Sequence, residues 1–140
     1  MNHILVAVDG SDCAKRALET AISFAQKFNA KVTTINVFMP PYLPPEPYVS
    51  VSATLEESVR KYGEQVAQEA AKFAESQGVK AEWICATGAP AELIVDTALA
   101  QGCDLVVVGS RGRGAVRRAL LGSVSSRLAH ICTVPLLIVH

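Results

Sequence analysis

After Asp104 the chain contains no acidic residue. The 36 residues that follow carry Arg111, Arg113, Arg117, Arg118 and Arg127, a net charge of +5. The first 104 residues hold 8 basic and 13 acidic side chains, a net −5. The formal net charge of +0 over 140 residues is the sum of these two opposed segments. A balanced total argues against a protein that coats nucleic acid, which needs a broad basic excess. The asymmetry points either to a local anionic partner or to a solvated basic face.

Other things are scarce. The cysteines Cys13, Cys85, Cys103 and Cys132 form no C-x-x-C pair, so nothing in their spacing supports a redox role. No His, Cys and Asp cluster has the spacing of a metal cage. The longest apolar runs are about five residues, far short of the ~20 that span a bilayer, so no membrane insertion is expected. The opening residues read as a strand rather than as a secretory leader. A reducing, cytoplasmic setting follows, with the cysteines as small buried hydrophobes. Only 19% of residues are charged and 50% are hydrophobic, which excludes disorder. The length fits one domain over 1–140, able to bury roughly 68% of its unfolded surface.

What is present alternates between apolar runs and helical periods. Ile4–Val8 is a continuous apolar run, broken by Asp9-Gly10-Ser11. Ala14, Ala17, Leu18, Ala21, Ala25 and Phe28 follow at helical spacing, with Ser11 or Asp12 as N-cap. Val32–Phe38 reads as a second strand. Met39–Ala53 holds five of the seven prolines and reads as a loop. Its Tyr42 and Tyr48 either pack over a pocket or partner, or the loop is a disordered excursion. Thr54-x-x-Glu57 has the form of a capping box. The helix it would open carries Leu55, Val59, Tyr62, Val66, Ala70 and Phe73 on one stripe and stops at Gly78.

Val79, Ala81, Trp83 and Cys85 alternate with Lys80 and Glu82, a strand with one wetter face that suits a sheet edge. Pro90 opens a short helix, Leu105–Val108 is a buried strand, and 115–121 and 123–131 read as helical. Leu136–Val139 is a last strand. Five strands with intervening helices imply an α/β fold with an open parallel sheet covered by helices on both faces. The uniformly apolar first and fourth strands belong at its centre. An exposed apolar edge at Leu136–Val139 would template pairing, so a homodimer through that strand is expected.

The stretch that carries chemistry is Val108–Ser126. It begins at the end of a central strand, where open parallel sheets bind ligands. Gly109 and Gly112 would let backbone approach a ligand and adopt positive φ. Gly122-Ser123 begins a helix, whose free N–H groups and partial positive charge suit phosphate. Ser123 and Ser125 add hydroxyls, and four arginines lie between the glycines and that helix. A Walker loop is excluded, because the chain has no Gly-Lys pair. The dinucleotide fingerprint fails as well: Gly112-x-Gly114 is followed by Arg117 and lies after the fourth strand, not the first.

The spacing Gly109-x2-Gly112-x9-Gly122-Ser123 resembles the nucleotide-binding signature of the universal stress proteins. Asp9-Gly10-Ser11, Gly88–Glu92, Asp104–Arg113 and Leu121–Ser126 also resemble that family's motifs, in order and over nearly the whole chain. The resemblance implies a Rossmann-like sheet of strand order 3-2-1-4-5, similar to the adenine nucleotide alpha hydrolases, with ATP, or ADP or AMP, at the switch point. It implies that Asp9 contacts the nucleoside, that Ala7 and Val8 line the adenine side and that Val37 offers backbone contacts to adenine. Val108 would close the apolar floor. Gly109, Arg111 and Gly112 would surround ribose and phosphates, and Gly122, Ser123, Val124 and Ser125 would donate to the phosphates. Mg2+ or Mn2+ would arrive with the phosphates.

Phosphoryl transfer needs metal placement and an oriented nucleophile. The glycine segment supplies cations and amides, and Asp9 is the nearby carboxylate, expected as a nucleoside ligand rather than a base. His130 falls near a helix C-terminus, where a cation is structural. The expectation is therefore a nucleotide-responsive regulatory protein acting through an unidentified protein partner, not an enzyme, with at most weak ATP hydrolysis. The alternatives are a slow ATPase or phosphotransferase, and a dimeric stress scaffold independent of nucleotide.

Overall fold

A computed structural model describes residues 1–40, 49–112 and 120–140, with 49–52 described as backbone only. The elements are β1 His3–Ala7, α1 Asp12–Phe28, β2 Lys31–Phe38, α2 Val49–Ser76, β3 Ala81–Thr87, α3 Pro90–Ala100, β4 Leu105–Gly109, α4 Ser123–Ile131 and β5 Leu136–Val139. All four strand pairings are parallel and the order is β3-β2-β1-β4-β5. The apolar strands β1 and β4 sit at the centre, in register Ile4↔Leu105 through Val6↔Val107.

The period of two along each strand divides the core. Ile4, Val6, Leu105 and Val107 pack with Ala17, Leu18 and Ala21 of α1 and with Ala67 and Ala74 of α2. Leu5, Ile35, Val106 and Val108 pack with Ile94, Val95 and Ala98 of α3 and with Leu128 of α4. Helices α1 and α2 thus cover one face, α3 and α4 the other. Strands buried on both faces must be apolar throughout, which is why ILVAV and LVVV lack alternation.

Several expectations are corrected. Helix α2 begins at Val49, so the C-terminal part of the expected loop 39–53 is helical. Pro47 is the last proline of that stretch; beyond it no residue lacks the amide a helix needs. Thr54 accordingly lies inside α2, its carbonyl accepting from the Ser58 hydroxyl at 3.0 Å, and does not cap it. Tyr42 and Tyr48 lie outside the described residues.

The stripe of α2 that faces the sheet is also displaced by one position. Gly63, Ala67, Ala71 and Ala74 are buried, while Tyr62 and Phe73 are each 42% exposed. Small side chains let the helix backbone approach β2, close enough for the Thr34 hydroxyl to donate to the Ala67 carbonyl at 2.7 Å. Large residues at those positions would hold the helix away. Phe28, expected on the buried stripe of α1, is likewise exposed and stacks on Phe24. Gly109 and Gly112, expected to adopt positive φ, do not. The short helix read over 115–121 falls largely outside the described residues.

Candidate functional site

A cavity of ≈ 270 Å³ opens where β1 and β4 end. The chain moves outward from β1 to β2 and from β4 to β5, so this is the switch point of the sheet. Ala7, Val8, Asp9, Val37, Val108, Gly109, Arg111, Gly112, Gly122, Ser123, Val124 and Ser125 all line it. Arg113, Arg117 and Arg118 lie outside the described residues. Five lining residues were not nominated by the sequence: Ser11, Ala14, Ile35, Pro90 and Ile94. Two had a signal. Ile35 lies two positions before Val37 and shares its strand face, and Ile94 lies one helical turn after Pro90.

Each glycine has a steric reason. A Cβ on Gly109 would stand 2.8 Å from the carbonyl carbon and Cβ of Cys13, so Gly109 admits the first turn of α1 against β4. A Cβ on Gly112 would stand 2.8 Å from Asp9 Oδ2. At Gly122 it would stand 3.3 Å from the Ser110 carbonyl oxygen and Arg111 Cα. Gly10, with φ 83°, turns the chain from β1 into α1, and the Tyr62 hydroxyl lies where its Cβ would be.

Asp9 emerges at the end of β1, and its Oδ1 accepts the Ser11 amide at 2.9 Å. Ser11 in turn caps α1, its hydroxyl accepting from the Ala14 amide at 3.2 Å. Helix α3 starts with Pro90, which has no amide to offer. Helix α4 differs from both. Its N-cap is Gly122, in extended backbone, with no side-chain cap.

The Gly122 amide donates to the Ser110 carbonyl at 2.6 Å. The Ser125 hydroxyl donates to the same carbonyl at 2.8 Å. These two donors therefore hold the turn from β4 to α4 and do not project from it, contrary to the expectation that both serve a ligand. The first-turn amides of Ser123, Val124 and Ser125 have no intrahelical acceptor, and the Ser123 side chain is exposed. The cavity thus pairs an apolar wall, made by Ala7, Val8, Ile35, Val37, Ile94 and Val108, with an uncapped helix N-terminus and Arg111.

Cys13 lies against Gly109 and Ser110 and is not part of the cavity lining. Burial alone would push its thiol up; hydrogen bonds with Ser110 and the Arg111 backbone, and the Arg16 charge, more than offset that and hold it below its ordinary value. Arg16 Nη2 donates to its sulfur at 3.1 Å. Arg127, one of the five arginines after Asp104, faces Glu92 at 3.0 Å and not the cavity. His130 lies in the last turn of α4, Nδ1 2.8 Å from the Ser126 carbonyl oxygen. Among the described residues no group of three His, Cys, Asp or Glu side chains is placed to hold a metal.

The model of the universal stress protein family matches residues 1–140. The chain belongs to the universal stress protein family. The universal stress protein YxiE of Bacillus subtilis is 34% identical over 149 aligned residues, 99% of each chain. Among solved structures, the universal stress protein UspA of Lactobacillus plantarum superposes with a TM-score of 0.89 at 23% identity, covering 99% of this chain and 97% of its own. That likeness establishes the five-stranded fold. A universal stress protein crystallised in complex with cAMP matches with a TM-score of 0.71 at 28% identity, over 99% of this chain and 97% of its own. In this universal stress protein the glycine spacing resolves into separate tasks: Gly109 seats α1, Gly112 faces Asp9, and Gly122 leaves α4 uncapped.

Proposed function

We propose that the cavity holds an adenine nucleotide (ATP, ADP or AMP) and that the protein is a nucleotide-responsive regulator acting through a protein partner. One observation carries the nucleotide reading. The N-terminus of α4 has no cap of its own and borders the same cavity as an apolar wall at the sheet's switch point. The open amides suit phosphate, and the wall of Ala7, Val8, Val37 and Val108 suits a purine. The relative with bound cAMP supports the same ligand class.

Catalysis is not proposed. Asp9 is the one carboxylate lining the cavity among the described residues, and its Oδ1 already holds the Ser11 amide. A divalent cation, Mg2+ or Mn2+, would be held through the nucleotide's phosphates, and its chemistry there is charge neutralisation. The edge position and half-buried side chains of β5 support a homodimer through Leu136–Val139. The four cysteines are unpaired, which suits a cytoplasmic setting.

The test is thermal unfolding with ATP, ADP and AMP in turn, beside mass spectrometry of nucleotide retained on purification. A ligand that prefers the native state raises Tm. No shift with any of the three would favour a nucleotide-independent scaffold. Turnover above about 1 per second would place the protein among ordinary enzymes and overturn the regulatory reading.

A further inference from the structure

The parallel ladder between β1 and β2 ends with Ala7 opposite Ile35. The next amide, Val8 N–H, still donates to the Ile35 carbonyl at 2.9 Å. The Val8 carbonyl, however, takes its hydrogen from a side chain: Asn36 Nδ2 donates to it at 2.8 Å. Val8 is the residue before Asp9, so this bond fixes the chain where it leaves the sheet. Asn36 is 7% exposed, on the face of β2 that α2 covers.

The helix above it is shaped to receive it. Gly63 of α2 is buried, and a Cβ there would overlap Asn36 Oδ1 and stand 3.3 Å from Asn36 Cγ and 3.1 Å from Cys85 Sγ. Glycine is a poor helix former, so its place mid-helix calls for a packing reason, and the Asn36 side chain is that reason. The residue before Gly63 on the same helix, Tyr62, sets its hydroxyl against Gly10, directly after Asp9. Helix α2 therefore bears on the β1–α1 turn from both sides of Asp9, while α4 does not touch Asn36 or Gly63 in any of these contacts.

We infer that Asn36, seated by Gly63, is the positioning residue for Asp9, and that α2 thereby sets the nucleoside end of the cavity independently of the phosphate end. The geometry stands by itself; the consequence for ligands rests on the nucleotide reading. Asn36→Leu removes the donor and leaves the Val8 carbonyl unpaired. Gly63→Ala keeps Asn36 but displaces it, which gives a second variant should the first fold poorly.

Two measurements test the inference. Hydrogen exchange reads the turn without any ligand, through the Ser11 amide that Asp9 Oδ1 holds. In both variants the Ser11 amide exchanges about tenfold faster, while the Gly122 amide on the α4 side is unchanged. Calorimetry then compares AMP with inorganic tripolyphosphate, which has no nucleoside. AMP binding weakens about tenfold and tripolyphosphate binding changes by less than about twofold. Equal acceleration at Ser11 and Gly122, or equal loss of both ligands, would mean general loosening and overturn the inference. Unchanged Ser11 exchange in a folded variant would overturn it too. A wild-type protein that binds neither ligand defeats the nucleotide reading, and Ser11-selective exchange still decides whether Asn36 positions Asp9.

Discussion

The two ends of the sheet are finished in opposite ways. At the N-terminal ends of the strands, polar groups close on one another. Asp104 Oδ2 accepts the amides of Asn2 at 2.6 Å and His3 at 2.9 Å. The His3 ring sits between the Gln101 carbonyl at 3.3 Å and the Thr33 hydroxyl at 2.8 Å. At the C-terminal ends, α1 is capped by Ser11 and α3 opens on proline, but α4 opens on a glycine, which has no side chain to cap it. A buried or capped donor stabilises the fold and is spent. A donor left open at a helix N-terminus costs some stability and is available to an anion. The candidate site lies where the fold declines to satisfy itself.

The largest expected effect comes from making α4 resemble α1. Gly122 has φ −71° and ψ 172°, a conformation any residue adopts, so Asp fits the backbone with a small adjustment against Ser110 and Arg111. Its carboxylate would cap the first turn and repel phosphate. Gly122→Asp should weaken nucleotide binding by about a hundredfold, or about 2.7 kcal/mol by calorimetry. The folded protein should hold or gain a few tenths of a kcal/mol. Binding within about threefold of wild type would refute the assignment of α4 as the phosphate end. The reciprocal change is Ser11→Ala. It removes a cap that α1 uses, so urea unfolding should show a loss of about 1 kcal/mol. If it cost nucleotide affinity as much as Gly122→Asp, the two N-termini would not differ as argued.

The same contrast explains what could be read from the sequence. Strand assignments were legible because both faces of a parallel sheet select apolar residues, so ILVAV and LVVV announce central strands. All twelve residues nominated through the family resemblance line one cavity, and of these Gly109, Gly112 and Gly122 were also marked by their place after the fourth strand. The fate of individual donors was not. That Gly122 N–H and Ser125 Oγ both turn to the Ser110 carbonyl depends on how the β4–α4 turn folds back, which no local pattern encodes. The stripe of α2 was misjudged for a related reason. Hydrophobic size favoured Leu55, Tyr62 and Phe73, whereas close approach to β2 selects Gly63, Ala67 and Ala71. Asn36 gave no sign of its part at all, since a polar residue in a strand announces only a possible partner.

The closed end should respond to pH through His3. Burial, aided by the Lys31 charge, holds the His3 imidazole below its ordinary value; the Gln101 hydrogen bond and the charges of Glu82 and Asp104 only partly oppose this. With Nδ1–H donating to Gln101, the neutral ring accepts the Thr33 hydroxyl on Nε2. Protonation would turn that acceptor into a donor. A histidine whose folded pKa is depressed leaves stability whole above its unfolded value near 6.5 and removes it as pH falls below. Asp104 and Glu92 are both held below the ordinary carboxylate range, by the Asn2 amide and by Arg127 respectively, so their losses come at lower pH. Tm should therefore fall by a few degrees from pH 7 to pH 5, and His3→Gln should flatten that fall. Equal slopes in the two proteins would mean that the closed network is not pH-sensitive through His3.

The smallest effect is expected at Arg127, and it bears on the charge asymmetry itself. The +5 of the last 36 residues looks like a single anion trap, yet Arg127 is committed to Glu92. Both partners are about half exposed, at 57% and 46%, so water screens the pair. Glu92 also lies in the first turn of α3, where the helix dipole favours a carboxylate without any arginine. Arg127→Ala should thus cost no more than about 0.5 kcal/mol on unfolding and change nucleotide affinity by less than about twofold. Arg111, by contrast, lines the cavity with no ion pair among the described residues. If Arg127→Ala weakened nucleotide binding as strongly as Arg111→Ala, the anion would be sensing the summed positive charge of the segment. If only Arg111→Ala did so, position at the open end, and not the total, would be what the asymmetry serves.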